Sequence, residues 1–207
     1  DLAVGKVLAG LEALQLERDT VVFLMSDNGG VATDGGWPTS NLPLRGGKGW
    51  LYEGGIREPL IIRWPQVTVP HSLCHVPVTS TDFYPTILDM SGLPLAQQQH
   101  MDGVSLTPLL RQSGPLQREA IFWHYPHYSG GLGGRPGSAV RRGDYKRIEF
   151  YEDGHLKLHK LTEDIGEQCN LLSKEPNRAK EMHVLLKKWR QEVDAKMPSP
   201  NPAYGEE

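Results

Sequence analysis

Three polar residues near the start of the chain have types and spacing that suit the binding of an oxyacid ester. Asp27 and Asn28 follow the apolar run Val21–Met25 after a single serine, and Lys48 stands between glycines, 48 − 27 = 21 positions after Asp27. A carboxylate beside a carboxamide offers oxygen ligands for a hard divalent cation such as Ca²⁺ or Mg²⁺. A lysine ammonium is a compact charge that can reach an oxyanion. A cation and a lysine on neighbouring loops suit a sulfate or phosphate ester.

Each of these residues also has a purely structural interpretation. Asp-Asn-Gly-Gly at residues 27–30 is a favourable turn sequence, and turn formation is the commoner role of such residues. In Gly46-Gly47-Lys48-Gly49 the lysine can equally be a solvated residue of a flexible loop. The glycine spacing, with no Ser or Thr after the lysine, excludes a phosphate-binding loop of the Walker type.

The surrounding sequence predicts an α/β unit. Val21–Met25 and Leu60–Ile62 are continuous apolar runs, typical of parallel strands that are covered on both faces. Because ligands bind at the carboxyl ends of such strands, Asp27 and Asn28 are expected at a functional edge of the sheet. A helix with one buried face is predicted before the first strand, from the spacing of Val4, Val7, Leu8, Leu11 and Leu14.

Two further features belong to this predicted unit. The connection Gly29–Gly55 is longer than most loops, so it is expected to be either functional or disordered. Ser80-Thr81-Asp82 resembles a helix N-cap, and Gly92 is expected to end the helix that follows. The buried face of that helix is predicted to consist of Phe83, Ile87 and Leu88.

The C-terminal part of the sequence predicts an antiparallel meander and a long helix. Ala139-Val140, Tyr145–Tyr151 and Leu156–Leu161 are short β-prone runs separated by turn residues. Pro176 is expected to open the helix, with a buried face of Ala179, Met182, Leu185, Leu186, Trp189 and Val193. The sequence therefore predicts an α/β part over residues 1–118 and a small α+β domain over residues 119–207.

The composition limits the class of partner. The formal net charge of −3 provides no basic footprint for nucleic acid. No segment approaches the roughly 20 consecutive apolar residues that a membrane span requires, so no membrane partner is expected. The chain begins inside a helical pattern, from which we expect it to be part of a longer protein.

Several of these segments together resemble the sulfatase family of the alkaline-phosphatase-like superfamily. The resemblance covers nearly the whole chain and rests on Asp1–Gly5, Ser26-Asp27-Asn28-Gly29, Gly46-Gly47-Lys48, Glu53-Gly54-Gly55-Ile56-Arg57-Glu58-Pro59, Asp102–Leu106 and Arg142–Lys146. It implies the C-terminal part of a mixed or parallel sheet layer, followed by the small α+β domain. It also implies that Asp27 and Asn28 bind calcium and that the catalytic residue Lys48 binds the sulfate group. By the same resemblance the substrate is a sulfated small molecule or carbohydrate, and the protein is secreted or periplasmic.

The family's nucleophile is absent from the sequence. In sulfatases it is a formylglycine made from the Cys or Ser of a C/S-x-P-x-R motif, and Cys74–Val78 lacks both the proline position and the arginine. The resemblance therefore implies that an N-terminal half of the same protein supplies the formylglycine and the remaining metal ligands. We expect the isolated chain to be inactive and its calcium site to be weak or missing.

A histidine-rich aromatic segment is the remaining candidate. His124 and His127 lie within Trp123–Tyr128, where aromatic faces and imidazole donors can contact a sugar, although an ordinary edge strand is an equal alternative.

Asn28 favours a single hard cation over the two zinc ions of related phosphatases. A phosphoester or sulfonate-ester hydrolase of the same superfamily and a non-catalytic binding module remain the alternative functions.

Overall fold

The computed structural model describes residues 1–32, 38–199 and 201–202. Residues 33–37 of the predicted long loop lie outside the described residues. In chain order, the helices and strands are α1 (Leu2–Ala13), β1 (Val22–Met25), α2 (Glu53–Ile56), β2 (Leu60–Arg63), α3 (Phe83–Met90), α4 (Thr107–Leu110), β3 (Ile121–Tyr125), β4 (Gly137–Arg142), β5 (Tyr145–Phe150), β6 (Leu156–Lys160) and α5 (Pro176–Glu192).

The chain divides into two compact units. The first unit consists of Asp1–Met25 and Pro59–Arg118, and the second consists of Ser26–Glu58 and Glu119–Glu207. The long connection that carries the candidate residues thus groups with the C-terminal part of the chain. The domain division after residue 118 stays a prediction about the whole protein.

The strands of the first unit correct one expectation. β1 and β2 pair antiparallel, with Val22 opposite Arg63 and Met25 opposite Leu60, so the prediction of parallel strands is wrong for this pair. A continuous apolar run indicates burial on both faces but not strand direction, which is why the sequence misled here. Within this chain the two faces are also not both covered, because Leu24 is 42% and Ile61 is 61% exposed.

Both helices predicted in the first unit form, but their predicted burial is wrong. No residue of α1 is buried in this chain, and Val4, Val7, Leu8 and Leu14 are exposed. In α3 the buried residues are Pro85 and Thr86, whereas Ile87 is exposed. A period of 3.6 marks an apolar face, but it does not say which segment will cover that face.

The start of α3 is held by a buried carboxylate. A 3₁₀ turn, Ser80–Asp82, precedes the helix, and its capping box joins Thr79 to Asp82. Asp82 is fully buried, and its two oxygens each lie 2.8 Å from a guanidinium nitrogen of Arg118. Gly92, with φ of +68°, follows the helix end as predicted.

The second unit contains the predicted meander and long helix. β3, β4, β5 and β6 form an antiparallel sheet in that order, which confirms the meander and adds β3 to it. On one face of the sheet, Val140 and Leu158 pack with Met182 and Leu186 of α5. On the other face, Leu51, Tyr52, Ala139, Ile148 and Phe150 form a second cluster. The sheet therefore separates α5 from the segment that leads into α2.

None of the helices within the described residues is both long and apolar enough to span a membrane.

Candidate active site

The Asp27–Asn28 turn begins two residues after β1 and is held by local hydrogen bonds. The Ser26 hydroxyl donates to the Asn28 carbonyl at 2.9 Å, and the Gly29 N–H donates to the Gly55 carbonyl at 3.2 Å. The Asn28 amide donates to the Asp27 carboxylate at 2.5 Å. Asp27 is exposed and Asn28 is half-buried. The turn thus presents a carboxylate and an adjacent carboxamide on a backbone that is tied to α2.

A further carboxylate, which the sequence reasoning missed, faces this turn. Glu58 is half-buried, and its Oε1 is buried without a hydrogen-bond partner among the described residues. Burial raises the pKa of the Glu58 carboxyl, and the negative charge of Asp27 raises this pKa further. Glu58 is the penultimate residue of the Glu53–Pro59 motif, 31 positions after Asp27 (58 − 27), so only the fold brings the two carboxyls near each other.

Glycines allow three backbone segments to lie in close contact around the turn. A Cβ atom at Gly29 would lie 1.9 Å from the Gly54 oxygen, and one at Gly47 would lie 2.4 Å from the Gly30 oxygen. A Cβ atom at Gly55 would lie 2.2 Å from the Trp50 oxygen. Such distances are far inside van der Waals contact, so these positions require a residue without a side chain.

Lys48 is part of this close packing through its backbone. Its N–H donates to the Gly30 carbonyl at 3.2 Å, and the Asn41 amide bridges the carbonyls of Gly30 and Gly46 at 2.9 and 3.1 Å. The Lys48 side chain is exposed, and its ammonium makes no hydrogen bond or ion pair with any described residue. The structure therefore fixes the backbone of Lys48 beside the Asp27–Asn28 turn.

Residues 129–134 also contact the loop that carries Lys48. The Ser129 hydroxyl donates to the Gly49 carbonyl at 3.2 Å, and the Trp50 indole N–H donates to the Leu132 carbonyl at 2.8 Å. A Cβ atom at Gly134 would lie 1.9 Å from the Gly49 oxygen. The glycine-rich segment after His127 is therefore docked against the residues that follow Lys48.

The two candidate histidines have different environments. Both ring nitrogens of His124 contact protein atoms: Nε2 lies 2.9 Å from the Lys196 carbonyl, and Nδ1 lies 2.9 Å from the hydroxyls of Ser138 and Tyr151. His127 is exposed, and its ring makes an edge contact with Tyr125 at 5.5 Å between centroids. These contacts favour a structural role for His124, whereas the His127 ring makes no hydrogen bond with any residue that the structure describes.

Three buried charged side chains form ion pairs at the start of α2. The Lys146 ammonium lies 3.0 Å from Glu53 and 2.9 Å from Glu167, and all three side chains are at most 2% exposed. Burial raises the pKa of the Glu167 carboxyl, while the nearby Lys146 ammonium acts in the opposite direction. Glu53 and Lys146 belong to two of the segments that carry the family resemblance, and the structure joins them directly.

Comparison with known proteins decides the family. The family described as N-sulphoglucosamine sulphohydrolase, C-terminal, matches residues 47–195. The chain belongs to the sulfatase family. This family consists of sulfuric ester hydrolases, and the chain corresponds to its C-terminal region. A sulfatase of Formosa agariphila is 37% identical over 91% of this chain, which spans 37% of that relative.

Solved structures agree with this assignment. The sulfatase chain is similar to the protein Ps i-CgsB in complex with a neocarrahexaose, with TM-score 0.77 and 26% identity over 90% of this chain and 40% of that chain. It is also similar to a protein solved with its substrate D-glucosamine-2-N,6-O-disulfate, with TM-score 0.76 and 26% identity over 94% of this chain and 39% of that one. The predicted fold class, the C-terminal part of an alkaline-phosphatase-like fold, is thereby confirmed.

The donor set of the sulfatase chain fits part of a calcium site. Asp27 and Asn28 offer only oxygen ligands, and the buried, unpartnered oxygen of Glu58 adds negative charge beside them. Calcium takes six to eight oxygen ligands, however, and no group of three or more His, Cys, Asp or Glu side chains in the described part of the chain is arranged to hold a metal. The residues therefore fit a shared site for which other ligands must come from elsewhere.

Proposed function

We propose that this chain is the C-terminal part of an enzyme that hydrolyses sulfate esters of a carbohydrate. One observation carries the proposal: the Lys48 backbone N–H donates to the Gly30 carbonyl at 3.2 Å, which supports a lysine next to the Asp27–Asn28 turn. The chain spans 37% of the Formosa agariphila sulfatase and 40% of Ps i-CgsB, so the proposed activity is that of a longer protein.

Asp27, Asn28 and Lys48 have complementary roles in this proposal. The Lys48 ammonium donates a charge-assisted hydrogen bond to a non-bridging sulfate oxygen. Asp27 and Asn28 would supply part of a Ca²⁺ site, and a cation held there would provide positive charge next to the sulfate group. Close backbone packing fixes the chain positions from which the Asp27, Asn28 and Lys48 side chains extend, which limits the backbone movement that the reaction would require.

The substrate class follows from the neighbouring structures and from the histidine segment. The two solved proteins are described with a neocarrahexaose and with a glucosamine disulfate, which supports a sulfated carbohydrate over other sulfated small molecules. His127 and Tyr125 offer an imidazole donor and an aromatic face at the start of the loop that contacts Gly49. We assign the sugar contact to His127 and a supporting role in the same segment to His124.

The isolated chain lacks the nucleophile in this proposal. The family's C/S-x-P-x-R motif does not occur in the sequence, so the formylglycine comes from the N-terminal half of the same protein. That half also completes the calcium site. Residues 1–207 alone are therefore expected to release no sulfate, even with calcium present.

A panel of esters tests the proposed function. The full-length protein would be incubated with sulfated oligosaccharides, an aryl sulfate and the matching aryl phosphate, with calcium and with a chelator, and free sulfate and phosphate would be measured. Calcium-dependent sulfate release from an oligosaccharide is the expected result. Faster phosphate release would support a phosphoester hydrolase instead, and binding of the oligosaccharide without release would support a binding module.

A further inference from the structure

Lys146 links two carboxylates in a buried triad. Its ammonium lies 3.0 Å from Glu53 Oε1 and 2.9 Å from Glu167 Oε1, and the three side chains are at most 2% exposed. Arg57 and Arg141 each contact the other oxygen of Glu53 at 3.6 Å. The three triad side chains are inaccessible to solvent, so they are not placed to contact a substrate directly.

The triad reaches both ends of the loop that carries Lys48. At the far end, the Glu53 N–H donates to Glu167 Oε2 at 2.6 Å, which fixes the start of α2. At the near end, the Arg45 guanidinium donates to the Glu167 carbonyl at 2.7 Å and stacks on the Tyr52 ring at 4.2 Å. The Gly54 N–H then closes the loop by donating to the Arg45 carbonyl at 2.8 Å.

The same segment sets the position of the Asp27–Asn28 turn. Gly55, two residues after Glu53, accepts the Gly29 N–H at 3.2 Å, and Gly54 leaves no room for a Cβ atom at Gly29. A shift of α2 would therefore move the turn and the Lys48 loop together. The buried triad therefore holds both the turn and the Lys48 loop in place.

Buried ion pairs contribute little net stability to a fold, so stability alone does not explain why charged residues hold this loop. Desolvation of three ions offsets much of their attraction, and well-packed apolar residues often stabilise a protein as well or better. An ionic triad does favour one defined geometry. In a shifted arrangement, one of the partners would remain as an unpaired buried charge, which is unfavourable. This difference suggests a role in precise positioning.

We propose that Glu53, Lys146 and Glu167 are positioning residues that hold Lys48 and the Asp27–Asn28 turn in one fixed arrangement. For its effect on catalysis the inference rests on the proposed sulfatase function, whereas its effect on the loop does not. Two measurements separate these claims.

The first measurement is amide hydrogen exchange over residues 45–55. Glu167→Gln keeps the size of the side chain but removes its charge, and Lys146→Met removes the central cation. We expect exchange in this segment to become about tenfold faster in either variant, as for the loss of a hydrogen bond to a charged group. Asp82→Asn is the matched control: it alters a buried carboxylate that is paired with Arg118 in the first unit, whereas residues 45–55 belong to the second.

The second measurement is a double-mutant cycle with Lys48 in the full-length protein. Lys146→Met should lower kcat/KM by about 10²-fold when Lys48 is present, as for a misplaced catalytic group. In a Lys48→Ala background, the same change should alter kcat/KM by no more than about twofold, because the residue being positioned is gone. A general loss of structure would lower kcat/KM equally in both backgrounds.

The outcomes are distinct. Unchanged exchange over residues 45–55 in Glu167→Gln would overturn the positioning role, even if Lys146→Met failed to fold. Equal effects in both Lys48 backgrounds would overturn its link to catalysis. A wild-type protein that releases no sulfate would refute the proposed function, while the exchange experiment would still decide whether the triad holds the loop.

Discussion

Leu24 lies directly opposite Ile61 in the antiparallel pair β1–β2, and both side chains are exposed in this chain. Directly opposed residues point to the same face of a sheet, so the two side chains form an apolar spot on that face. Exposed apolar surface of this kind marks a place where another segment or molecule packs. In a sulfatase of greater length, the same face would be available to the rest of the α/β domain.

This exposed pair leads to a prediction about residues 1–207 on their own. Replacing Leu24 and Ile61 by lysine should reduce dye binding to exposed apolar surface and reduce self-association, because charge on an edge strand disfavours pairing with other chains. Sedimentation velocity would measure the association. Val184→Lys on α5, an exposed apolar residue of the second unit, is the control and should change neither property. Equal association of the Leu24/Ile61 variant and the wild type would contradict the prediction.

A second prediction concerns the close backbone packing around the candidate site. Gly55→Ala would place a methyl group 2.2 Å from the Trp50 oxygen and 2.4 Å from the Gly47 oxygen. We expect it to lower the free energy of unfolding by about 1–3 kcal/mol, the usual cost of overpacking. Gly130→Ala is the matched control, since its methyl group would meet no atom within 4 Å. Urea unfolding of both variants measures the difference, and equal midpoints would show that the loop adapts without cost.

The sequence predicted the element types well because their periodicity is local. The meander, α5 and the end of α3 at Gly92 all follow from turn residues and apolar spacing near them in the chain. The relative direction of β1 and β2 and the burial of α1 could not be predicted in this way, because both depend on which distant segments pack against them. An apolar residue in the sequence does not show which distant segment will pack against it.

The same distinction holds at the candidate site. Asp27, Asn28 and Lys48 were chosen from residue type and family resemblance, and the structure brings the turn and the Lys48 loop together. Glu58 and the Lys146 triad were missed because their partners are remote in sequence, with 93 positions between Glu53 and Lys146. The signal that could have found the triad was a charged residue inside a β-prone run, since Lys146 shares a buried face of β5 with the apolar residues Ile148 and Phe150.

A third prediction follows from a buried histidine in β6. His159 is 1% exposed, its Nδ1 donates to the Cys169 carbonyl at 2.8 Å, and its Nε2 is buried with no hydrogen-bond partner in the described part of the chain. Burial lowers the pKa of His159 below its usual 6.5, against a weaker opposing effect of the Cys169 carbonyl and Asp164. The unfolded chain therefore binds a proton at a higher pH than the folded chain does, and stability is lost as the pH falls below about 6.5.

The test is the urea midpoint at pH 7 and pH 5. The wild type should lose more stability over this interval than His159→Gln, because the glutamine cannot take up a proton. His183, whose pKa is also lowered by burial, is present in both proteins, so the difference isolates His159. Equal losses in the two proteins would mean that His159 titrates alike in the folded and unfolded chains.

A fourth prediction concerns calcium in the full-length protein. Asp27→Asn removes one anionic ligand without changing its size, and calcium affinity falls with the charge of the ligand set, so we expect about a tenfold or larger rise in Kd. Calcium-dependent thermal stabilisation and calorimetric titration measure this without reference to activity. Asp19→Asn, an exposed aspartate of the first unit, is the control. Unchanged calcium binding in Asp27→Asn would remove Asp27 from the site.

The last prediction concerns Lys48 in the full-length protein. Its side chain is exposed and has no partner among the described residues, so it contributes little to packing. Loss of one preorganised donor typically lowers the rate by about 10²–10³, or roughly 2.7–4 kcal/mol. Lys48→Ala should therefore lower kcat/KM by about that factor and leave Tm nearly unchanged.

Two further variants make this result specific. Lys48→Arg should restore only part of the activity, because a planar guanidinium cannot replace a compact charge in a confined site. Lys188→Ala on α5 removes another exposed lysine and should have no effect on kcat/KM. If Lys48→Ala hydrolyses the sulfate ester at the wild-type rate, then Lys48 is a solvated loop residue. The catalytic proposal for this chain would then depend on Asp27 and Asn28 alone.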